Sequence, residues 1–304
     1  ADYGGPKLDL QTLNVKSANI SEDRRKIFLE LEGMKPGHVV YFHLPNHWVS
    51  EKGTELWSTE AWYTLNHIPD NKIGFTTTKP EPIPVNTLSK TEKAAGWNLL
   101  FDGKTTHGWR NFNTKSIGSS WKVMDNALVL NVEKQPDGST KAADGGDIIT
   151  DLEFEDFELQ LEWKIASCGN SGIMYHVVEA EDYCCPWMTG PEMQILDNSC
   201  HPDAKIRTHR AGDLYDMIES KIENTRPAGQ WNRIRIVSQS GQIQHWLNGK
   251  KIVEFEMHTD KWKRMIEDSK FHEYEDFGLA KKGHIVLQDH NDQVAFRNIK
   301  IREL

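Results

Sequence analysis

The sequence predicts an all-β protein: a two-sheet sandwich with one short helix, preceded by a small β-rich segment. Three observations predict it. From residue 96 onward nearly every segment alternates apolar and polar residues at period two, the pattern of half-buried strands. Turn signals such as Ser240-Gly241 and Asn248-Gly249 separate successive runs. Many short strands at that spacing, with no repeat of fixed period, indicate a sandwich rather than a propeller or solenoid.

In chain order, residues 1–75 form the small unit. Lys26–Leu31 and His38–Leu44 are β-patterned runs separated by Gly33-Met34-Lys35-Pro36-Gly37, which reads as a hairpin. Its four histidines, His38, His43, His47 and His67, have no ligand spacing, so the unit is expected to be structural, to dock a partner, or to be the tail of a larger protein. The phrase Glu60–Pro69 resembles one that closes a domain in some exported bacterial dehydrogenase-like or haem-associated proteins. Residues 76–95, with Pro80, Pro82 and Pro84 in alternation, read as an extended spacer because repeated proline removes backbone donors.

The sandwich occupies residues 96–304. Phe157–Ile165 shows the pattern most clearly: Phe157, Leu159, Leu161, Trp163 and Ile165 fall on one face, and Glu158, Gln160, Glu162 and Lys164 on the other. Further strands are expected at Ala127–Leu130, Ile173–Val178, Met193–Leu196, Arg233–Val237, Gln242–Leu247, His284–Gln288 and Val294–Ile301. The helix is expected within Asp260–Lys270, where Trp262, Met265 and Ile266 recur at i, i+3, i+4.

Composition narrows the function. The chain has 304 residues, a formal net charge of −9, 38% hydrophobic residues, and eleven each of Trp and Phe. That is enough apolar material for a real core. No apolar run is long enough to span a membrane as a helix, and no Lys/Arg stripe suits nucleic acid. Asp102-Gly103-Lys104-Thr105 lacks the first glycine of a phosphate loop, since Asn98 stands there. Neither G-x-S-x-G, H-E-x-x-H nor G-x-G-x-x-G occurs. A nucleotide cofactor is therefore not expected.

Four cysteines, Cys168, Cys184, Cys185 and Cys200, lie close together. They read either as free thiols or, in an exported chain, as a bridge from Cys184 or Cys185 to Cys200. The start at Ala1-Asp2-Tyr3, without Met or leader, fits an exported, processed product or a piece of something longer.

Chemistry is sought on the outward faces. Glu192 and Gln194 alternate with Met193 and Ile195, and Gln288 and His290 alternate with Ile285 and Leu287. If these strands neighbour Phe157–Ile165, then Glu162, Glu192, Gln194, Gln288 and His290 share one surface. Converging carboxylates and an imidazole would serve acid–base work or hold a divalent metal; an ordinary solvated sheet face is the alternative. Gly169-Asn170-Ser171-Gly172 permits close approach of a ligand or simply forms a bulge. His176 falls on the alternation of Gly172 and Met174, which puts it at the rim. Trp187 either stacks on a sugar or packs.

Ordered phrases now suggest a family: Trp97–Lys104, Gly108-Trp109, Asp156–Leu159 with Glu162-Trp163, Gly169–Ile173, Gly190–Asp197, Ala211–Asp216, Gly229–Asn232, His245–Gly249, Gly283–His290 and Phe296–Ile301. Residues 96–304 resemble the 3-keto-disaccharide hydrolase-like domain of exported bacterial proteins, a concanavalin-like jelly-roll sandwich. His176 stands where many members carry Arg. The resemblance implies cleavage of 3-keto-glycosides, by hydrolysis or by elimination at C2–H and C1–O followed by water addition. For that chemistry, strand alternation offers His290 or Glu162 as base, Lys164 to stabilise enolate charge, and Glu192 as carboxylate anchor or, with His290, as ligand to a metal of unspecified identity. Asn170, Gln194, Tyr215 and Gln288 would then orient hydroxyls. The expected partner is an oligosaccharide or glycoside, in the periplasm or outside the cell. A lectin-like binding module is the alternative.

Overall fold

The computed structural model describes residues 11–20, 27–44, 58–65 and 84–304. The chain divides into two compact units, one within residues 1–82 and the other beginning at residue 83.

Among the described residues, the first unit consists of two antiparallel ribbons. Strands β1 (Asn14–Ile20) and β2 (Ile27–Glu32) pair with each other, as do β3 (His38–His43) and β4 (Glu60–Leu65). The expected hairpin between Ile27–Leu31 and His38–His43 is thus corrected. The five residues from Gly33 to Gly37 contain two glycines with positive φ, and each flanking strand pairs with a partner elsewhere in the sequence. Val40 and Leu65 are buried. His47 and His67 lie outside the described residues.

The spacer reading also changes where the structure is described. Residues 84–95 fold against the sandwich. Asn86 and Asn298 exchange hydrogen bonds between backbone N–H and side-chain oxygen in both directions, at 2.6 and 2.7 Å. A short helix, α1 (Lys90–Ala94), follows, started by a capping box of Ser89 and Glu92. Glu92 also pairs with Lys300. The alternating prolines favour an extended chain, whereas the Ser-x-x-Glu signal behind them starts a helix.

The remaining elements are β5 (Asn98–Leu99), β6 (Trp109–Asn111), β7 (Trp121–Met124), β8 (Ala127–Leu130), β9 (Glu133–Lys134), β10 (Thr140–Lys141), β11 (Ile148–Phe154), β12 (Phe157–Ile165), β13 (Asn170–Val177), β14 (Glu192–Leu196), β15 (Asn232–Gln239), β16 (Gln242–Leu247), β17 (Lys250–Glu256), α2 (Asp260–Glu267), β18 (Gly283–Leu287) and β19 (Val294–Glu303). A five-stranded sheet runs β14-β13-β18-β11-β6, and an eight-stranded sheet runs β17-β16-β15-β12-β19-β8-β7 with β5 paired to β19 as its eighth strand. This is the all-β two-sheet sandwich expected of a jelly roll.

The two sheets share one core. The odd-numbered residues of β12 meet Ile173 and Tyr175 of β13, Met193 and Ile195 of β14, and Ile285 and Leu287 of β18. Helix α2 is capped by Thr259, whose side chain accepts from Trp262 N–H. It buries Trp262 in a stack with Phe255 and Phe277.

Cys168 is bridged to Cys200, which corrects the expected pairing of Cys184 or Cys185 with Cys200; those two remain thiols. The reason is register. Asn170 faces Leu196 across β13 and β14, so the residues just outside this pair, 168 and 200, meet at the end of the ribbon.

Candidate active site

The five-stranded sheet aligns one row of side chains across its outer face. Gly172 stands opposite Gln194, and Gln288 N–H donates to the Gly172 carbonyl at 3.0 Å. Ile148 stands opposite Leu287, so the next residues outward, Asp147 and Gln288, face one another. Gln194 on β14, Gly172 on β13, Gln288 one residue past β18 and Asp147 one residue before β11 therefore lie side by side, about 4.8 Å apart per strand.

Glu192, two residues from Gln194 on the same face, leans into this row. Its carboxyl group takes the space that a Cβ at Gly172 would occupy. Burial pushes the Glu192 carboxyl up to about 8, opposed by the charge of Lys270 and assisted by that of Asp147. Asp147 is raised to about 7, again chiefly by burial; its hydrogen bond from Asp289 N–H opposes the rise, and the Asp289 charge adds to it. Two neighbouring carboxyl groups that hold their protons near neutrality are suited to exchange protons with a ligand.

Amides and an aromatic surround the pair. The Gln194 amide donates to Asn170 Oδ1 at 3.2 Å, while Gln194 Oε1 is buried without a hydrogen-bond partner among the described residues. Residues 212–215 add to the edge of β14, with Gly212 N–H donating to Gln194 O and Tyr215 N–H to Glu192 O. This brings Tyr215 beside Glu192, and its hydroxyl is held above its ordinary range by burial and then by the Glu192 charge. Lys270 Nζ lies 4.1 Å from the Tyr215 ring centre. Trp187 packs half-buried on the same sheet face, against an apolar patch of Ile149, Met174, Val177 and Val286 that Phe112 also covers. Beside Asp147 opens a cleft of about 400 Å³, bounded by Phe112, Ile117, Gly146, Cys184 and Pro186.

The structure thus brings together Glu192, Gln194, Asn170, Gln288, Tyr215 and Trp187. It separates the others. Glu162 and Lys164 sit on β12, in the opposite sheet, and face away from the shared core. Glu162 pairs with Arg297 at 2.7 Å, and Lys164 lies 4.9 Å from the Trp231 ring. The assumption that β12 neighbours β14 and β18 fails because period-two alternation gives a strand's faces, never its sheet.

His176 is likewise corrected. Its φ of 54° marks a break in alternation, after which Val177 takes the outward position. The imidazole turns into the core, where Nε2 lies 3.1 Å from Glu155 O and 3.2 Å from Ser238 Oγ.

His290 is exposed beyond the end of β18, its ring 6.5 Å from that of His201. Among the described residues, no three His, Cys, Asp or Glu side chains converge as metal ligands. Glu192 is buried on β14, whereas His290 is exposed in the segment after β18.

Sequence reasoning missed Asp147, Asp289 and Lys270. For Asp147 a signal existed: Gly145-Gly146-Asp147 leads directly into the apolar start of β11, and a Cβ at Gly145 would collide with the Asp289 carboxylate. Nothing local marks Lys270, which lies past the end of α2 and is held at the site by its N–H donating to Asp216 Oδ2 at 2.8 Å.

Fold and site define a class: a two-sheet sandwich with an acid- and amide-lined row on the outer face of its smaller sheet. Residues 96–302 match the 3-keto-alpha-glucoside-1,2-lyase-like domain family, and the chain belongs to it. It is 34% identical over 242 residues to a 3-keto-disaccharide hydrolase of Bacteroides thetaiotaomicron, spanning 72% of this chain and 82% of that protein. A crystal structure from Parabacteroides distasonis ATCC 8503, provisionally assigned as a glycosyl hydrolase, superposes with a TM-score of 0.65 at 32% identity, covering 73% of this chain and all of the other. A second from the same organism, assigned likewise, gives 0.51 at 27% identity, covering 68% and 99%.

Proposed function

We propose that the chain cleaves 3-keto-glycosides, with Asp147 and Glu192 as the proton-transferring pair. The supporting observation is the Glu192 carboxyl seated over Gly172, in reach of the row that holds Gln194, Gln288 and Asp147. Family membership and the relative's name support the substrate class.

A ketone at C3 acidifies the proton on C2. Asp147, as carboxylate, takes that proton. The C2–H electron pair is taken up by the C3 carbonyl as an enolate; its return forms the C1–C2 double bond as the C1–O bond breaks, and neutral Glu192 protonates the departing oxygen. Water then adds across the double bond, giving net hydrolysis. The amides of Gln194, Gln288 and Asn170 position the ring hydroxyls and the carbonyl, and Lys270 supplies positive charge near the developing enolate. The cleft beside Asp147 would take the second ring of a disaccharide. The Cys168–Cys200 bridge supports work outside the cytosol, since such bridges persist in oxidising compartments.

The test is turnover of matched 3-keto and ordinary disaccharides, with and without chelator. Cleavage of the keto sugar alone is expected. Binding of both without cleavage would make the protein a carbohydrate-binding module and sink the proposal.

A further inference from the structure

Cys184 and Cys185 play no part in the chemistry above, yet they stand at the rim of the cleft. Their sulfurs lie 3.0 Å apart, and Cys184 Sγ is 3.6 Å from Met188 Sδ. Cys184 is exposed and lines the cleft, while Cys185 is half-buried. Pro186 opens a short turn, Pro186–Met188, that fixes the backbone immediately after the pair. The same chain carries a second, bridged pair, Cys168–Cys200, so a setting that maintains that bridge also exposes Cys184 to oxidants.

We propose that Cys184 and Cys185 are a reversible modification site, a vicinal dithiol–disulfide couple that forms one wall of the cleft. This rests on the reading of the cleft as part of the substrate site. The oxidant is a small or protein disulfide, RSSR. The exposed Cys184 thiolate attacks one of its sulfurs, breaking the S–S bond and releasing RS⁻, which takes up the proton lost by Cys184. Cys185 gives up its proton as its sulfur attacks Cys184 Sγ and displaces the second RS⁻, which takes that proton up. Two protein thiols are oxidised to one disulfide, and RSSR is reduced to two RSH.

Adjacent Cα atoms are about 3.8 Å apart, below the usual span of a disulfide, so the bond is readily reduced. Cys168 and Cys200, with Cα atoms 4.7 Å apart, stand within that span. The two pairs therefore answer to different redox conditions. Closing the vicinal bond draws Cys184 Sγ toward Cys185 and away from Met188, which reshapes the cleft wall opposite Phe112 and Ile117.

The test equilibrates the whole chain in glutathione buffers from reducing to oxidising, traps thiols by alkylation, and weighs the peptide containing residues 184 and 185. The expected result is two alkyl groups at the reducing end and, at the oxidising end, none with a loss of about 2 Da, the Cys168–Cys200 bridge staying closed across the transition. Two alkyl groups, or two glutathione adducts, at every ratio would overturn the couple. A second arm measures KM for a 3-keto disaccharide in both states, with a difference of roughly three- to tenfold expected. That difference should be absent in a C184S/C185S double variant. Equal KM values in the two states would overturn the placement of the couple on the substrate cleft. Absence of any turnover would instead defeat the function proposed above, while the mass titration still decides the couple.

Discussion

The carboxyl group of Glu192 fills the space above Gly172 that any larger residue would need. The two stand one register step apart on paired strands: Met174 faces Glu192, and Gly172 faces Gln194. Glycine at 172 is therefore what allows a buried acid to reach the middle of the sheet row.

Gly172→Ala tests this directly. Gly172 has an ordinary backbone conformation, so the chain tolerates alanine, but the carboxyl must move. Turnover of a 3-keto disaccharide should fall by about ten- to a hundredfold, or ~1.4–2.7 kcal/mol in the barrier, with little loss of thermal stability. Unchanged kcat would show that Glu192 does not act from this position.

Glu192 also predicts a pH dependence of stability. Its folded value, about 8, lies above that of an unfolded glutamate, so its protonated form is what the fold accommodates. That stability is complete below the unfolded value near 4.5 and is lost as pH rises through about 8. Glu192→Gln keeps the neutral shape at every pH. Melting curves should match the parent at about pH 5 and favour the variant at about pH 9, by on the order of 2–4 kcal/mol.

On the acid side, the buried imidazoles act in the opposite sense. His176 and His245 are both depressed to about 4 by burial. The unfolded chain takes up protons from about pH 6.5 downward while the folded chain refuses them, so stability falls as pH drops from 6.5 toward 4. His245→Phe should lessen this acid sensitivity in melting curves. It should also cost about 1–3 kcal/mol at neutral pH, because Tyr175 Oη, 2.9 Å from His245 Nε2, loses its partner.

Glu162→Gln and Lys164→Ala should leave kcat and KM for the keto sugar intact. Both residues lie on the sheet opposite the site, and the Glu162–Arg297 pair is partly exposed, so stability should change by less than about 1 kcal/mol. A large loss of turnover in either variant would move the active site to the other sheet.

The Cys168–Cys200 bridge closes a separation of 32 residues. Replacing both cysteines with serine should lower stability by about 3–4 kcal/mol. Denaturant unfolding of the variant and parent under the same buffer measures it.

The strands were legible because alternation reports burial directly: every odd residue of β12 from Phe157 to Ile165 is in the core. Glu192, Gln194 and Gln288 were legible for the same reason, as polar residues alternating with buried Met193, Ile195, Ile285 and Leu287. Sheet membership was not, since Glu162 and Glu192 carry the same local signature and differ only in which partner their strand finds. His176 was misread because one residue with positive φ shifts the parity of everything after it, and nothing in Met174-Tyr175-His176-Val177 announces that break. Lys270 and Asp289 depend on contacts between segments far apart in sequence, which no local pattern encodes.

The reciprocal clasp of Asn86 with Asn298 has a topological consequence. It ties the stretch by which the polypeptide joins the sandwich to the strand with which the sandwich is completed, so the first and last parts of that fold are neighbours. A sandwich closed in this way is a self-contained cassette. Joining residue 304 to residue 84 by a short flexible linker, and opening the chain instead at the Ser240-Gly241 turn, would reorder the strands in sequence while leaving the row from Gln194 to Asp147 in place.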